Sequence, residues 1–223
     1  MSQGSDQDIN WETAAGRLLR KFIAGLSKDH PIVLNVFGSA PLQLKLDPSF
    51  LSGDVDVFSS EDLGHVVTDL QLGKGQSDPY IEIVPASIFI ATPVWRDRAD
   101  KRVFDNVTVY IASPLDVLVG KIKRLDPKDL DAFDLVREKT GGPTEEVLKN
   151  ALQDVIDMYR PSFDEENSGG DAIVNTRRLW LHFFGHDIDV RREIIAPGLR
   201  AREEACGYTA PSPVEKLRRL TGL

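Results

Sequence analysis

Residues 31–37, PIVLNVF, are almost wholly apolar and rich in β-branched side chains, and the run stops at Gly38-Ser39. A short run of this kind reads as a central strand covered on both faces. The fold must therefore supply a packing layer on each side of it. Fourteen residues separate Ser39 from Asp54, where a second strand, GDVDVFS, begins to alternate. Strand side chains repeat every two residues, so Asp54 and Asp56 share one face, about 6.5–7 Å apart along the chain, while Val55 and Val57 point into the core. Two carboxylates this close repel one another and suffer from partial burial. Aspartate is also a poor strand former, so two of them in one strand need a reason. A divalent cation provides one, because Mg²⁺ favours carboxylate oxygens and shares them with phosphates. The other reading open at this point is an edge strand whose outer face is simply acidic.

The remaining pattern is mixed. Residues 9–27 carry Trp11, Ala14, Ala15, Leu18, Leu19, Phe22 and Ile23 on one helical stripe. Helix is predicted at 61–70, a turn at 73–78, extended chain at 80–91 and one strand at 102–113. From Ser113 onward the periodicity is helical. Asp126-Pro127 marks a helix start and Gly141-Gly142 a stop, 161–170 reads as a loop, and 171–223 as mainly helical. The order predicts an α+β fold, a mixed sheet flanked by helices with a helical C-terminal part.

Composition narrows the setting. The net charge of −8 argues against broad electrostatic wrapping of nucleic acid, although residues 174–223 hold nine Lys or Arg against six Asp or Glu. The single cysteine, Cys206, forms neither an internal disulfide nor a zinc site alone. No apolar run approaches the ~18 residues of a membrane span, and the polar N-terminus lacks the pattern of a secretory signal. A cytoplasmic protein without membrane contact is the expectation.

Gly38 permits a tight turn and a close approach to a ligand, and a hydroxyl with free amides where a Pro-initiated helix starts (Pro41) suits phosphate oxygens. FGSAPL followed by SGDVDVFS resembles the nucleotidyltransferase superfamily pattern of Gly-Ser, a spacer and Asp-x-Asp between apolar residues. The resemblance implies that Gly38 and Ser39 contact a triphosphate, that Asp54 and Asp56 bind Mg²⁺ or Mn²⁺, and that a third carboxylate comes from a neighbouring strand. Glu82, between Ile81 and Ile83, matches that position best; a solvent-facing strand residue is the alternative. The segment SPLDVLVGKIKRLDPKDLDAFDL is similar to AbiEii-type nucleotidyltransferases, a group that includes toxins of type IV toxin–antitoxin systems. Lys121 and Lys128-Asp129 match its lysine helix and Lys-Asp pair, whereas Asp131 and Asp134 fall near, but not at, the usual spacing. The likeness covers roughly residues 31–138. It implies a nucleotidyltransferase-like domain over 31–142, while the helical patterns on either side, which lie outside the likeness, predict an N-terminal helix packing on the core (1–30) and a helical C-terminal region (143–223).

Helical spacing supports this independently. Leu115, Leu118, Val119, Ile122 and Leu125 form one stripe, with Lys121 at its edge, placed to lay its stem on the core and push its ammonium into a cleft. Arg124 reads as solvent-facing. Asp129 falls on the buried face with Ala132, Phe133 and Val136, so it needs a partner, for which Lys121 is a candidate; a first-turn charge favoured by the helix dipole is the alternative. His182 and His186, four apart, read as surface residues rather than metal ligands, and Trp95-Arg96-Asp97-Arg98, after Pro93, as a charged surface loop, with stacking on or contact with a nucleotide as the alternative. The expected activity is metal-dependent transfer of a nucleoside monophosphate from an NTP to an acceptor. In that scheme Asp54, Asp56 and Glu82 serve the metal, Ser39 and Lys121 hold the triphosphate, and Asp129 supports them. The resemblance implies tRNA or another RNA as acceptor and an antitoxin protein as partner. A small-molecule acceptor such as an aminoglycoside, or a non-catalytic nucleotide- or partner-binding module, stands beside it.

Overall fold

The computed structural model describes residues 9–85, 90–159 and 172–207. The loop expected at 161–170, part of the extended run (86–89) and the end of the C-terminal region (208–223) lie outside the described residues. Thr13 takes extended backbone and its side chain accepts a hydrogen bond from the Gly16 amide, which starts α1 (Ala14–Ala24). Ala15, Leu18, Leu19, Phe22 and Ile23 then bury the predicted stripe.

The helix rests on a five-stranded mixed sheet of β1 (Ile32–Phe37), β2 (Asp54–Phe58), β3 (Tyr80–Ile83), β4 (Asp100–Phe104) and β5 (Val107–Ile111), in the order β3-β2-β1-β5-β4. β1 is central, as its apolar run predicts. It pairs antiparallel with β2 and parallel with β5, while β2 runs parallel to β3 and β4 antiparallel to β5. Val55 and Val57 are fully buried and join Leu34, Val36, Val109 and Ile111 under α1. The architecture is α+β.

Two local expectations are corrected. The single strand expected at 102–113 is a hairpin, β4 and β5 joined at Asp105-Asn106, with Asp105 at φ 50°. Aspartate tolerates this left-handed conformation better than most residues, so the turn needs no glycine to announce it. The expected loop at 95–98 is instead a single helical turn, α4 (Trp95–Arg98), in which Trp95 packs edge-on to Phe37.

On the face opposite α1 lie α5 (Pro114–Ile122), α6 (Pro127–Thr140), α7 (Glu145–Asp154) and α8 (Ala172–Phe184), which share a second core around Leu118, Phe133, Leu148 and Trp180. A short α2 (Ala40–Lys45) follows β1, α3 (Gly64–Asp69) follows β2, and a π-helical stretch (Arg191–Ile195) runs into α9 (Ala196–Ala205). Asp126 and Asp129 form a capping box at the start of α6, and Gly141 at φ 80° ends it, both where the sequence signals stand.

One buried side chain ties these helices to the end of α5. The Asn175 amide nitrogen, on α8, donates to the carbonyls of Ile122, Lys123 and Arg124 at 3.0, 3.1 and 3.2 Å. These carbonyls lie at the end of the helix, where such groups lack helical partners. Asn175→Ala is therefore expected to cost about 1–3 kcal/mol, read by urea denaturation.

Candidate metal centre

The parallel register of β2 and β3 places Asp54 opposite Tyr80 and Asp56 opposite Glu82. Paired residues project from the same face, so the Asp-x-Asp alternation and the strand pairing together converge three carboxylates. Asp54, Asp56 and Glu82 each offer an oxygen lying within 4.8 Å of the others. The aspartates are half-buried and Glu82 is exposed. Tyr80 donates to Asp54 Oδ2 at 3.5 Å from the edge of the cluster.

This is a strained arrangement of charge. Burial pushes the Asp56 carboxyl up to about 6, the negative charges of Asp54 and Glu82 push the same way, and Lys121 and Arg124 only partly oppose them. Three hard oxygen donors whose ionised forms repel one another are the donor set that Mg²⁺ or Mn²⁺ relieves, so the residues present fit such a cation.

Gly38 makes room for the cluster. It has φ 64°, and a Cβ there would meet Asp56 Oδ2 at 1.9 Å. Gly38→Ala therefore imposes both left-handed backbone, at about 1–2 kcal/mol, and displacement of the Asp56 carboxylate. The variant is expected to lose Mg²⁺ affinity about tenfold or more in a calorimetric titration, by analogy with disturbing the groups that orient a ligand.

Beside the triad stands a second cluster. Ser39 opens α2 with helical backbone and makes no side-chain cap to that helix. Its hydroxyl instead accepts from Lys121 Nζ at 2.9 Å. The same ammonium donates to Asp129 Oδ1 at 2.8 Å. Lys121 is mostly buried and the Asp129 side chain entirely so. Burial alone would raise the Asp129 carboxyl, but the Lys121 hydrogen bond and charge, Arg124 and the Asp126 amide outweigh it and hold it below its ordinary value. The inward lysine thus meets the carboxylate that the helical pattern left needing a partner.

Arg124 is solvent-facing, as the sequence reads, and also reaches the second cluster. It is 56% exposed, yet its Nε meets Asp126 Oδ2 at 2.8 Å and its terminal nitrogen reaches both Asp129 oxygens at 3.4 Å. α5 ends at Ile122 and Arg124 lies in the turn that follows, next to Leu125 at φ 44°, so the angular position that an ideal helix would give Arg124 does not apply. Sequence reasoning missed this residue because its signal is a backbone turn and not a periodicity.

The other candidates lie elsewhere. Lys128 is exposed. Asp134 pairs with Arg137 and His182, and His186 pairs with Glu145, so the two histidines face different acids and share no metal position. Comparison of the chain with protein-family models, with curated proteins and with solved structures gives no match. No helix among the described residues is long and apolar enough to cross a membrane.

Proposed function

We propose that the protein is a metal-dependent nucleotidyltransferase that moves a nucleoside monophosphate from an NTP to an acceptor hydroxyl, with RNA as the acceptor. The observation that carries this reading is the convergence of Asp54, Asp56 and Glu82 beside the Ser39–Lys121 pair. A divalent cation on the three carboxylates supplies charge neutralisation and Lewis acidity for phosphoryl chemistry. Ser39 and the Lys121 ammonium bind the β and γ phosphates and offset the charge that grows on the leaving pyrophosphate. Asp129 keeps the ammonium charged and aimed. Glu82, the most exposed of the three carboxylates, orients the acceptor hydroxyl and takes its proton. The acceptor oxygen bonds to the α-phosphorus as the bond to pyrophosphate breaks.

Incubation of the protein with each α-labelled NTP, Mg²⁺ and total RNA tests the reading. Label on RNA, dependent on Mg²⁺ and on Asp54, supports it. Saturable Mg²⁺-NTP binding without pyrophosphate release on RNA or on small-molecule acceptors would identify a binding module instead.

A further inference from the structure

Arg96 is exposed, yet its guanidinium is fixed by three neighbours. It lies 5.5 Å from the Trp95 ring centre and 5.1 Å from that of Tyr110, and it donates to Asn35 Oδ1 at 3.1 Å. Asn35 is an expensive residue for the task. It stands in the central strand, is 2% exposed, and uses its amide nitrogen on the Phe58 carbonyl at 3.1 Å. A surface arginine is ordinarily a mobile side chain with little effect on stability. Here a buried polar group in the middle of the sheet holds a guanidinium plane still at the surface, an arrangement that matches a preorganised binding group.

Its place in the sheet gives that group an object. The register sets Phe37 opposite Asp56, Asn35 opposite both Phe58 and Tyr110, and Tyr110 opposite Lys101, so all of these residues share the face that carries the carboxylate triad. The Phe37 ring meets Trp95 at 4.8 Å. With strands about 4.8 Å apart, the Trp95–Arg96–Tyr110 group begins one to two strands, about 5–10 Å, from Asp56. It lies on the β1–β5 side of the triad. Glu82, proposed to receive the acceptor, lies on the opposite side, on edge strand β3. Ser39 follows Phe37 by two residues, so the phosphate grip adjoins the platform.

We propose that Arg96, laid on Trp95 and Tyr110 and anchored by Asn35, is the platform on which the nucleobase of the NTP stacks; this rests on the nucleotidyltransferase reading. Guanidinium planes and aromatic rings stack on any base, so the platform contributes affinity for a nucleoside and leaves the choice of base to other groups.

The test is equilibrium binding of each NTP and of inorganic triphosphate, with Ca²⁺ replacing Mg²⁺ to block turnover. Arg96→Ala is expected to weaken NTP binding about tenfold while leaving inorganic triphosphate unchanged. Arg96→Lys should lose nearly as much, since it keeps the charge and lacks the plane. Lys121→Ala should weaken both ligands. Equal loss of NTP and triphosphate in Arg96→Ala would reduce Arg96 to a phosphate charge and overturn the proposal. Unchanged NTP affinity would overturn it too, and a raised KM for RNA in that variant would place the platform under the acceptor. If the wild-type protein binds neither NTP nor triphosphate, the functional reading fails first and the platform falls with it.

Discussion

Asp56→Asn is expected to make the metal-free protein more stable while abolishing the proposed transfer. Burial and the neighbouring charges of Asp54 and Glu82 raise the Asp56 carboxyl to about 6 in the folded state, against 3.8 as its ordinary value. The folded protein therefore holds this proton more tightly than the unfolded chain. Stability from this group is full below about pH 4 and is lost as pH rises through about 6. The difference of roughly two pKa units corresponds to at most about 3 kcal/mol at neutral pH. Asparagine does not ionise, so denaturant melts in the presence of a chelator should show the variant gaining up to that amount at neutral pH and little near pH 4. Mg²⁺ should reverse the ranking. The wild type gains stability with added metal because the cation relieves the repulsion, whereas the variant loses a ligand and should show a much smaller thermal shift. Transfer should fall at least about 100-fold, since disturbing only the groups around a ligand already costs about 10–100-fold and this change removes the ligand itself. A variant no more stable than wild type in chelator would show that Asp56 is not held in the destabilised state described above.

Asp129→Ala should have the opposite effect, a loss of about 3–5 kcal/mol. Asp129 is fully buried and accepts from Lys121 Nζ and from the Asp126 amide at 2.9 Å. Its removal strands a mostly buried ammonium and opens the capping box of α6. Replacing the pair together, Lys121→Met with Asp129→Leu, should recover much of the stability, because two apolar side chains need no mutual charge compensation. The double variant should still fail to bind triphosphate, which separates the structural role of the pair from its proposed role in binding. The pH signature also differs from that of Asp56. The folded carboxyl of Asp129 lies below its unfolded value, so its stabilisation is present above the unfolded pKa of about 4 and is lost as pH falls through the depressed folded value. On acidification the metal-free protein should therefore first gain from Asp56 and then lose from Asp129, and the Asp129→Ala variant should lack the second phase.

Much of this arrangement is legible in the chain because it is written in local repeats. The β2 alternation places Val55 and Val57 inside and Asp54 and Asp56 together on the other face, and a period of two is complete within four residues. The starts and stops at Asp126-Pro127 and Gly141 are equally local, since caps are decided by the backbone groups of a single turn. The β4–β5 hairpin escaped because Asp105 reaches positive φ without a glycine. The contacts of Arg124 escaped because α5 ends at Ile122 and Arg124 lies in the irregular turn that carries Leu125 at positive φ.

By itself the sequence determined the central strand, the shared face of the two aspartates, the inward lysine and the need of Asp129 for a partner. Only the tertiary structure decided that β3 pairs parallel with β2 and so brings Glu82 to Asp56. It also decided that Lys121 bridges Ser39 and Asp129, and that Asn175 from α8 holds the end of α5. The physical reason is range. Propensity, alternation and capping act over one turn or a few residues, whereas Ser39 and Lys121 are 82 residues apart and meet only when the two cores have closed on either side of the sheet.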